Sequence, residues 1–218
     1  MKVSLSLMCM NLTTVAEQIK KLNSFTDNYH IDIMDGHYVR NLALSVDFIK
    51  AIRPLTNKTI DAHLMVDNPE DYINDLIAAG TDLINIHAEK LDGQAFRLID
   101  LIKQSDRQVG VVINPEENIT NISQYLNLVD MVTVMTVDPG YAGQKFIKEA
   151  LLTISQLKNY RKQNSLHFEI QIDGSCNAET YSELKTAGSD ILVLGSSGFF
   201  GYSQDIDQCI KMAAKYLN

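Results

Sequence analysis

TIDAHLMVDNPEDYINDLIAAGTDLINIH, residues 59–87, decides the fold. It opens on a short β-rich run (59–65) and closes on another (83–87). Between them Asn68 and Pro69 start a stretch with apolar residues at helical spacing, and Gly80 stops it. Strand, crossover helix and strand make a βαβ unit, the connection that parallel strands require.

The same alternation runs outward in both directions. Further strand-like runs lie at residues 3–8, 30–34, 109–113, 131–135, 168–172 and 191–195, which brings the number to eight. Helical patterns fill the gaps: 12–22 with Thr13 as cap, 45–52 opened by Ser45, then 93–104, 119–126, 148–163, 177–188 and 203–217. The stretch ending at Gly80 and the one ending at Gly188 both close on Ala-Gly, a helix stop. No linker, charge block or low-complexity tract interrupts the series. The pattern predicts one α/β domain over residues 1–218, a (β/α)8 TIM barrel closed by eight parallel strands. A doubly wound open sheet is the alternative. Polar residues at the ends of many different strands favour the barrel, because an open sheet gathers its site at one switch point.

The 218 residues are 45% hydrophobic, enough for a large core. A net charge of -8 without any Lys/Arg run argues against nucleic acid as a partner. No apolar run approaches the roughly 18 residues of a membrane span. The three cysteines, Cys9, Cys176 and Cys209, form no C-x-x-C and predict no disulfide framework. The opening residues do not read as a secretion signal, so a cytoplasmic protein is expected. An anionic small substrate stays open, since backbone amides bind phosphate whatever the net charge.

In a barrel the carboxyl ends of the strands carry the site. Here they offer Ser6, then His30 and Asp32, then His63, then Asp173. His30 and Asp32 are two apart and share a strand face, so both can enter the mouth while Ile31 and Ile33 turn outward. Each residue alone reads as an ordinary hydrogen-bonded strand end. Together His30, Asp32, His63 and Asp173 read as ligands of one divalent cation, because buried charges need pairing or a metal. Imidazole with carboxylate suits Zn²⁺, Mn²⁺, Co²⁺, Fe²⁺ or Mg²⁺. His87 and Glu89 follow the fourth strand and read as supports behind the site with no catalytic role; His37 and His167 read as loop or surface residues. Met8, Met34, Met65 and Met135 close strands, as core filler or as a dry wall around the site.

Glycine loops follow the last three strands. Gly140, Tyr141, Ala142 and Gly143 lie after the sixth, Gly174 and Ser175 after the seventh, Gly195 and Ser196 after the eighth. Each could be a plain turn; on neighbouring strands they point to a phosphate site.

HIDIMDGHYVRNLALS, DAHLMVDNPEDY, VVINPE, MTVDPGYAGQKFI and IDGSCN, in that order along the chain, resemble the ribulose-phosphate 3-epimerase superfamily. The resemblance implies a metal-dependent isomerase that inverts carbon 3 of a phosphorylated ketose through an enediolate. Asp32 and Asp173 would be the acid and base, one of them tuned upward in pKa. Ser6 and His63 would orient the substrate, and a homo-oligomer is expected. SLMCMN, GYAGQ, DGSCN and GSSGFF depart from the pentulose-phosphate pattern toward D-allulose-6-phosphate 3-epimerase. They place Met8, Cys9, Ala142, Ser175 and Cys176 where substrate length would be read. The expected reaction is therefore D-allulose 6-phosphate to D-fructose 6-phosphate, with D-ribulose 5-phosphate to D-xylulose 5-phosphate as the alternative. Leu5 and Arg40 stand where the family commonly has Pro. A non-catalytic sugar-phosphate binder would not need both Asp. A Schiff-base enzyme would need a Lys at the mouth, and Lys58 and Lys145 lie outside that cluster.

Overall fold

The computed structural model describes residues 1–217. Eight parallel strands close a barrel in chain order. They are β1 Lys2–Ser6, β2 Asn28–Met34, β3 Thr59–Met65, β4 Leu83–His87, β5 Gln108–Ile113, β6 Met131–Met135, β7 Glu169–Asp173 and β8 Ile191–Leu194. Seven α-helices surround them among the described residues: α1 Val15–Leu22, α2 Val46–Ile52, α3 Glu70–Ala79, α4 Ala95–Gln104, α5 Ala150–Gln163, α6 Tyr181–Ala187 and α7 Ile206–Leu217. None is long and apolar enough to cross a membrane.

The local signals act as physical chemistry predicts at most ends. The Ser45 hydroxyl accepts from the Phe48 amide and caps α2. Gly80 ends α3 at a φ of 90° and Gly188 ends α6 at 118°, a left-handed turn that glycine takes without strain. Two ends differ from the sequence reading. The cap before α1 is the Asn11 side chain, which accepts from the Thr13 amide; Thr13 caps nothing. β1 stops at Ser6, and Leu7–Cys9 makes a 3-10 turn that carries Met8 and Cys9 over the mouth.

The helix expected at 119–126 does not form. A 3-10 turn, Ile119–Asn121, is followed by irregular turns. Ile119, Thr120 and Ile122 are β-branched, and Asn118 and Ser123 offer the backbone local bonds, to the Thr120 amide and carbonyl. Burial of Ile122 and Leu126 anchors the segment without a helix.

Outward residues such as Ile31, Ile33, Ile60, Leu64 and Ile84 join the helices in the main core. The barrel interior is different. Its amino end is plugged by Leu83, Met131 and Ile191, from alternate strands. Above the plug lies a buried polar layer: the Asp61 carboxylate accepts from Asn85 Nδ2 (2.5 Å) and Gln171 Nε2 (2.8 Å), and Gln171 also reaches Thr133 Oγ1 (3.2 Å). Gly110 on β5 makes room for this layer, because a Cβ there would sit 1.7 Å from Asn85 Oδ1.

The amino end is stitched by a device used four times. Asp27, Asp82, Asp130 and Asp190 each immediately precede an even-numbered strand. Their carboxylates accept the amides of Val3, Ile60, Val109 and Ile170, each the second residue of the preceding odd strand, at 2.8–2.9 Å. Their own amides return bonds to the carbonyls of the same four residues at 2.8–3.0 Å. A basic side chain supports three of the four: Arg53 on Asp82 (2.7 Å), Lys103 on Asp130 (3.4 Å) and Arg161 on Asp190. These stitches set neighbouring strands in register, and so aim the strand ends at the mouth.

Candidate active site

At the carboxyl mouth the strand ends bring His30, Asp32, His63 and Asp173 together. One ligand atom from each lies within 4.8 Å of all the others. His30 and Asp32 come from β2, His63 from β3 and Asp173 from the end of β7. His30 and His63 are completely buried and Asp32 nearly so; Asp173 is the side chain that reaches solvent, at 17% exposure.

The contacts form a regular cage. His30 Nε2 is 3.2 Å from His63 Nδ1, 3.4 Å from Asp32 Oδ1 and 3.5 Å from Asp173 Oδ2. His63 Nδ1 is 3.4 Å from Asp32 Oδ1 and 3.5 Å from Asp173 Oδ2. Metal–ligand distances of about 2.0–2.2 Å in a tetrahedral site would put neighbouring ligand atoms about 3.3–3.6 Å apart. The five edges that involve a histidine, 3.2–3.5 Å, lie close to that span, the Asp32–Asp173 edge lies within 4.8 Å, and the donor set of two imidazoles and two carboxylates suits a divalent cation. The residues present therefore fit one.

Three of the four members are held from behind. The His30 Nδ1 lies 2.7 Å from Asp61 Oδ2, the carboxylate of the buried polar layer, so Nε2 is left to face the cage. The Ser6 hydroxyl donates to Asp32 Oδ2 (2.8 Å), leaving Oδ1 toward the histidines. Ser6 thus holds a carboxylate as well as lining the cleft. His63 Nε2 meets His87 Nε2 at 2.8 Å, and His87 Nδ1 meets the Tyr38 hydroxyl at 2.8 Å. Sequence reasoning placed His87 behind the site, where it meets His63, but missed Asp61 and Tyr38 as partners. For Asp61 the signal was its place two residues before His63 on one strand face.

The electrostatics differ from expectation. Burial by itself would push Asp32 and Asp173 up, toward an acid that works near neutrality. The adjacent His30 and His63 outweigh it, and both carboxyls lie below their ordinary range. Reciprocally, burial disfavours charge on His30, but the Asp61 and Asp32 carboxylates raise it well above the usual imidazole value. His63 is raised by Asp173 and Asp32 against the same opposition. His87 behaves oppositely: burial and its neighbour His63 hold it well below the usual range, and it is a neutral ring.

A cleft open to solvent rises from Asp32 and Asp173. The substrate-binding candidates Gly140, Tyr141, Ala142 and Gly143 border it, as do Gly174, Ser175, Gly195 and Ser196. Ser6 lines its floor, and His63 lies beneath, completely buried. Met8, Met34, Met65 and Met135 form its apolar wall. Gly174 has a φ of 118°, and a Cβ there would press 2.6 Å from Val137 Cγ2, so the turn after β7 requires glycine. The segments after β2 and β6 meet over the mouth: Asn41 Nδ2 donates to the Gly140 carbonyl (2.7 Å), and the Tyr141 hydroxyl donates to the Arg40 carbonyl. Arg40 thus enters this contact through its backbone.

Of the residues expected to read substrate length, Met8, Cys9, Ala142 and Ser175 border the cleft. Cys176 does not. It is 2% exposed and packed beneath the turn, its thiol near the Ile172 carbonyl. Asp138 and Ser197 border the cleft without having been expected to.

Residues 2–199 match a family model described as Ribulose-phosphate 3 epimerase family. The chain is 35% identical over 198 residues to the ribulose-phosphate 3-epimerase of Bacillus subtilis, covering 90% of this chain and 91% of that one. It is 34% identical over 211 residues to the enzyme of that name from Methanocaldococcus jannaschii, covering 96% and 88%. Among solved structures it is similar to 3-hexulose-6-phosphate synthase from Salmonella typhimurium (TM-score 0.71, 19% identity, 100% and 98% covered). It is also similar to KGPDC from Streptococcus mutans (TM-score 0.70, 12% identity, 99% and 98% covered). At those identities the structural likenesses concern the fold.

Proposed function

The chain belongs to the ribulose-phosphate 3-epimerase family, and from that membership and the geometry of the mouth we infer that it inverts carbon 3 of a phosphorylated ketose. One observation carries the reading: Asp32 and Asp173 come from strands on different parts of the barrel wall and converge on one cage at the foot of the cleft. Inversion needs an acid/base on each face of a planar intermediate, since a single base tends to return the proton to the side it left. A barrel that only bound sugar phosphate would have no use for both carboxylates.

In this mechanism one carboxylate takes the proton from carbon 3. The C–H electron pair moves into the carbon 2–carbon 3 bond and the carbonyl electrons move onto oxygen, giving an enediolate. The second carboxyl must enter the turnover protonated; it gives that proton to the opposite face, and the first, now protonated, resets the pair. His30, Asp32, His63 and Asp173 would hold a divalent cation; when bound, it supplies Lewis-acid charge that acidifies the carbon 3 proton. Ser6 keeps Asp32 in place through its hydroxyl. The methionine wall keeps water from the intermediate without adding a competing acid. The backbone of the Gly140–143, Gly174–Ser175 and Gly195–Ser196 segments would take the phosphate, with no Lys or Arg in the wall of the cleft. A homo-oligomer, expected from the resemblance, is a proposal that light scattering checks.

Two substrate lengths compete. D-Ribulose 5-phosphate is the reading supported by the relatives, which carry the name ribulose-phosphate 3-epimerase at 34–35% identity. D-Allulose 6-phosphate is favoured by Met8, Cys9, Ala142 and Ser175, which border the cleft where the chain departs from the pentulose pattern. The deciding experiment measures kcat/KM for both sugars with one metal, alongside carbon 3 proton exchange in deuterium oxide. The faster sugar identifies the substrate. No exchange with either would overturn the epimerase reading. Unphosphorylated ketoses should turn over very poorly; parity with the phosphates would remove the phosphate assignment.

A further inference from the structure

Two carboxylates stand behind the two histidines of the cage, one on each side. Behind His30 stands Asp61, in the closed interior. Behind His63 runs a longer chain that ends at the surface. His63 Nε2 meets His87 Nε2 (2.8 Å), His87 Nδ1 meets Tyr38 Oη (2.8 Å), and Tyr38 Oη lies 2.7 Å from Glu89 Oε1. Asn114 Nδ2 donates to both Tyr38 Oη (3.3 Å) and Glu89 Oε1 (3.1 Å). His63 stacks on His87 with ring centroids 5.0 Å apart, and Tyr38 meets His87 tilted by 50° at 4.8 Å.

The direction of every bond in this chain follows from its end. A carboxylate accepts and does not donate, so the Tyr38 hydroxyl must give its proton to Glu89. Tyr38 Oη then accepts from His87 Nδ1–H. A neutral ring with its proton on Nδ1 has a lone pair on Nε2, so His87 accepts from His63 Nε2–H. On a neutral His63, the form a metal ligand requires, that leaves the lone pair on Nδ1, the nitrogen that faces Asp32 and Asp173. Asp61 imposes the opposite choice on His30, whose Nδ1–H is bound and whose Nε2 faces the cage.

We propose that Glu89 and Tyr38 are positioning residues that select, through His87, the tautomer of His63 able to present its Nδ1 lone pair to a cation. The inference rests on the reading of His63 as a ligand. It gives an exposed carboxylate a hand in the composition of the cage: the chain that Glu89 ends orders a proton pattern that reaches a completely buried ring. Outer partners of metal-binding histidines generally orient the ring and raise its affinity in this way.

The test uses full-length protein with ¹⁵N-labelled histidine, both loaded with Zn²⁺ and stripped of metal at alkaline pH. In the wild type, nitrogen spectra should place the His87 proton on Nδ1 and the His63 proton on Nε2. A His87 proton on Nε2 would reverse the chain and overturn the proposal without any variant. Tyr38→Phe keeps the ring on His87 and removes the hydroxyl. It should weaken Zn²⁺ binding, read by chelator competition, by about 10–100-fold and scramble the His87 tautomer. Glu89→Gln should act in the same direction but less, because an amide can donate as well as accept and so only relaxes the choice. Unchanged zinc affinity and unchanged tautomers in a folded Tyr38→Phe would also overturn the proposal. Wild-type protein that takes up no zinc would instead defeat the ligand reading, while the metal-free spectra still decide the direction of the chain.

Discussion

At the amino end of the barrel Asp27, Asp82, Asp130 and Asp190 direct their oxygens at strand amides, and Asp82, Asp130 and Asp190 also meet a basic side chain. At the carboxyl end Asp32 and Asp173 turn one oxygen each toward two histidines, within 4.8 Å of one another. The residue type is the same and the use is opposite. Amide donors and a guanidinium satisfy a carboxylate and lock it, which makes structure. Two carboxylates held side by side in a buried cage leave acceptor capacity aimed at one point, which makes a place for a cation or a moving proton. Strand ends at the bottom of a barrel serve stability and those at the top serve chemistry; here the aspartate partners show why.

The contrast breaks most visibly in turnover. Asp32→Asn and Asp173→Asn should each lower kcat by about 10²–10⁴-fold, the usual worth of a positioned acid or base. Compared without metal, their thermal midpoints should move less than that of an amino-end variant, since no strand amide depends on either side chain. Initial rates of carbon 3 exchange and a melting curve on the same samples check both halves. A variant that keeps near-native rates with metal bound removes that Asp from the mechanism.

Metal removal should come next in size. Chelation should abolish activity and lower stability, and Zn²⁺ should restore both. A site loaded at about a hundredfold over its dissociation constant contributes about 2.7 kcal/mol. The increment should vanish in a His30→Ala, His63→Ala double variant and persist in variants of the amino end. Equal melting curves with and without chelator in the wild type would contradict the cage as a binding site.

Asp190→Ala should show the mirror image. It strips the Ile170 amide and Arg161 of their shared partner. A hydrogen bond to a charged group is worth about 1.5–3 kcal/mol. Each kcal/mol moves the midpoint of a domain this size by about 2–4 °C. The kcat of the folded fraction should stay near wild type. A large loss of kcat without loss of stability would mean the two ends are not separable.

Much of this contrast is legible in the amino-acid order alone. β3, β4 and β6 fall where alternating β-rich runs placed them, and Ser45, Gly80 and Gly188 act as the caps and stops their positions suggested. The four cage residues were visible because charge inside a buried strand is rare. Other features depend on distance in the fold. Tyr38 and His87 are 49 residues apart, and nothing local marks their hydrogen bond. The layer of Asp61, Asn85 and Gln171 joins three strands through side chains that each look unremarkable in sequence. The absent helix at 119–126 shows the reverse error, a helical period outweighed by β-branched residues and side chains that bond the backbone locally. The pKa of the two aspartates turned on the charge of their histidine partners, which periodicity cannot weigh against burial.

The smallest expected effect sharpens the comparison, because it concerns an aspartate at the mouth that behaves like those at the bottom. Asp35 accepts the amides of His37 (2.8 Å), Tyr38 (2.9 Å) and Asp67 (2.7 Å), pinning the turn after β2 to the one after β3. Burial is slight and opposes its charge; the three amides outweigh it and lower its pKa. The sign follows from linkage. A carboxyl whose folded pKa lies below its unfolded value stabilises the fold above the unfolded pKa, and that contribution fades as pH falls through the folded one. Asp35→Asn removes the charge and leaves one acceptor oxygen where Asp35 uses two, so it stands in for the protonated carboxyl. Wild type should therefore be the more stable at neutral pH, and the gap should close in acid, below the ordinary carboxylate range. Solvent screening at so exposed a group keeps the gap under about 1 kcal/mol. Urea unfolding of the two proteins across that range reads it directly. A gap that stayed constant with pH would mean the turn is held by shape alone, and that Asp35 belongs to neither end's pattern.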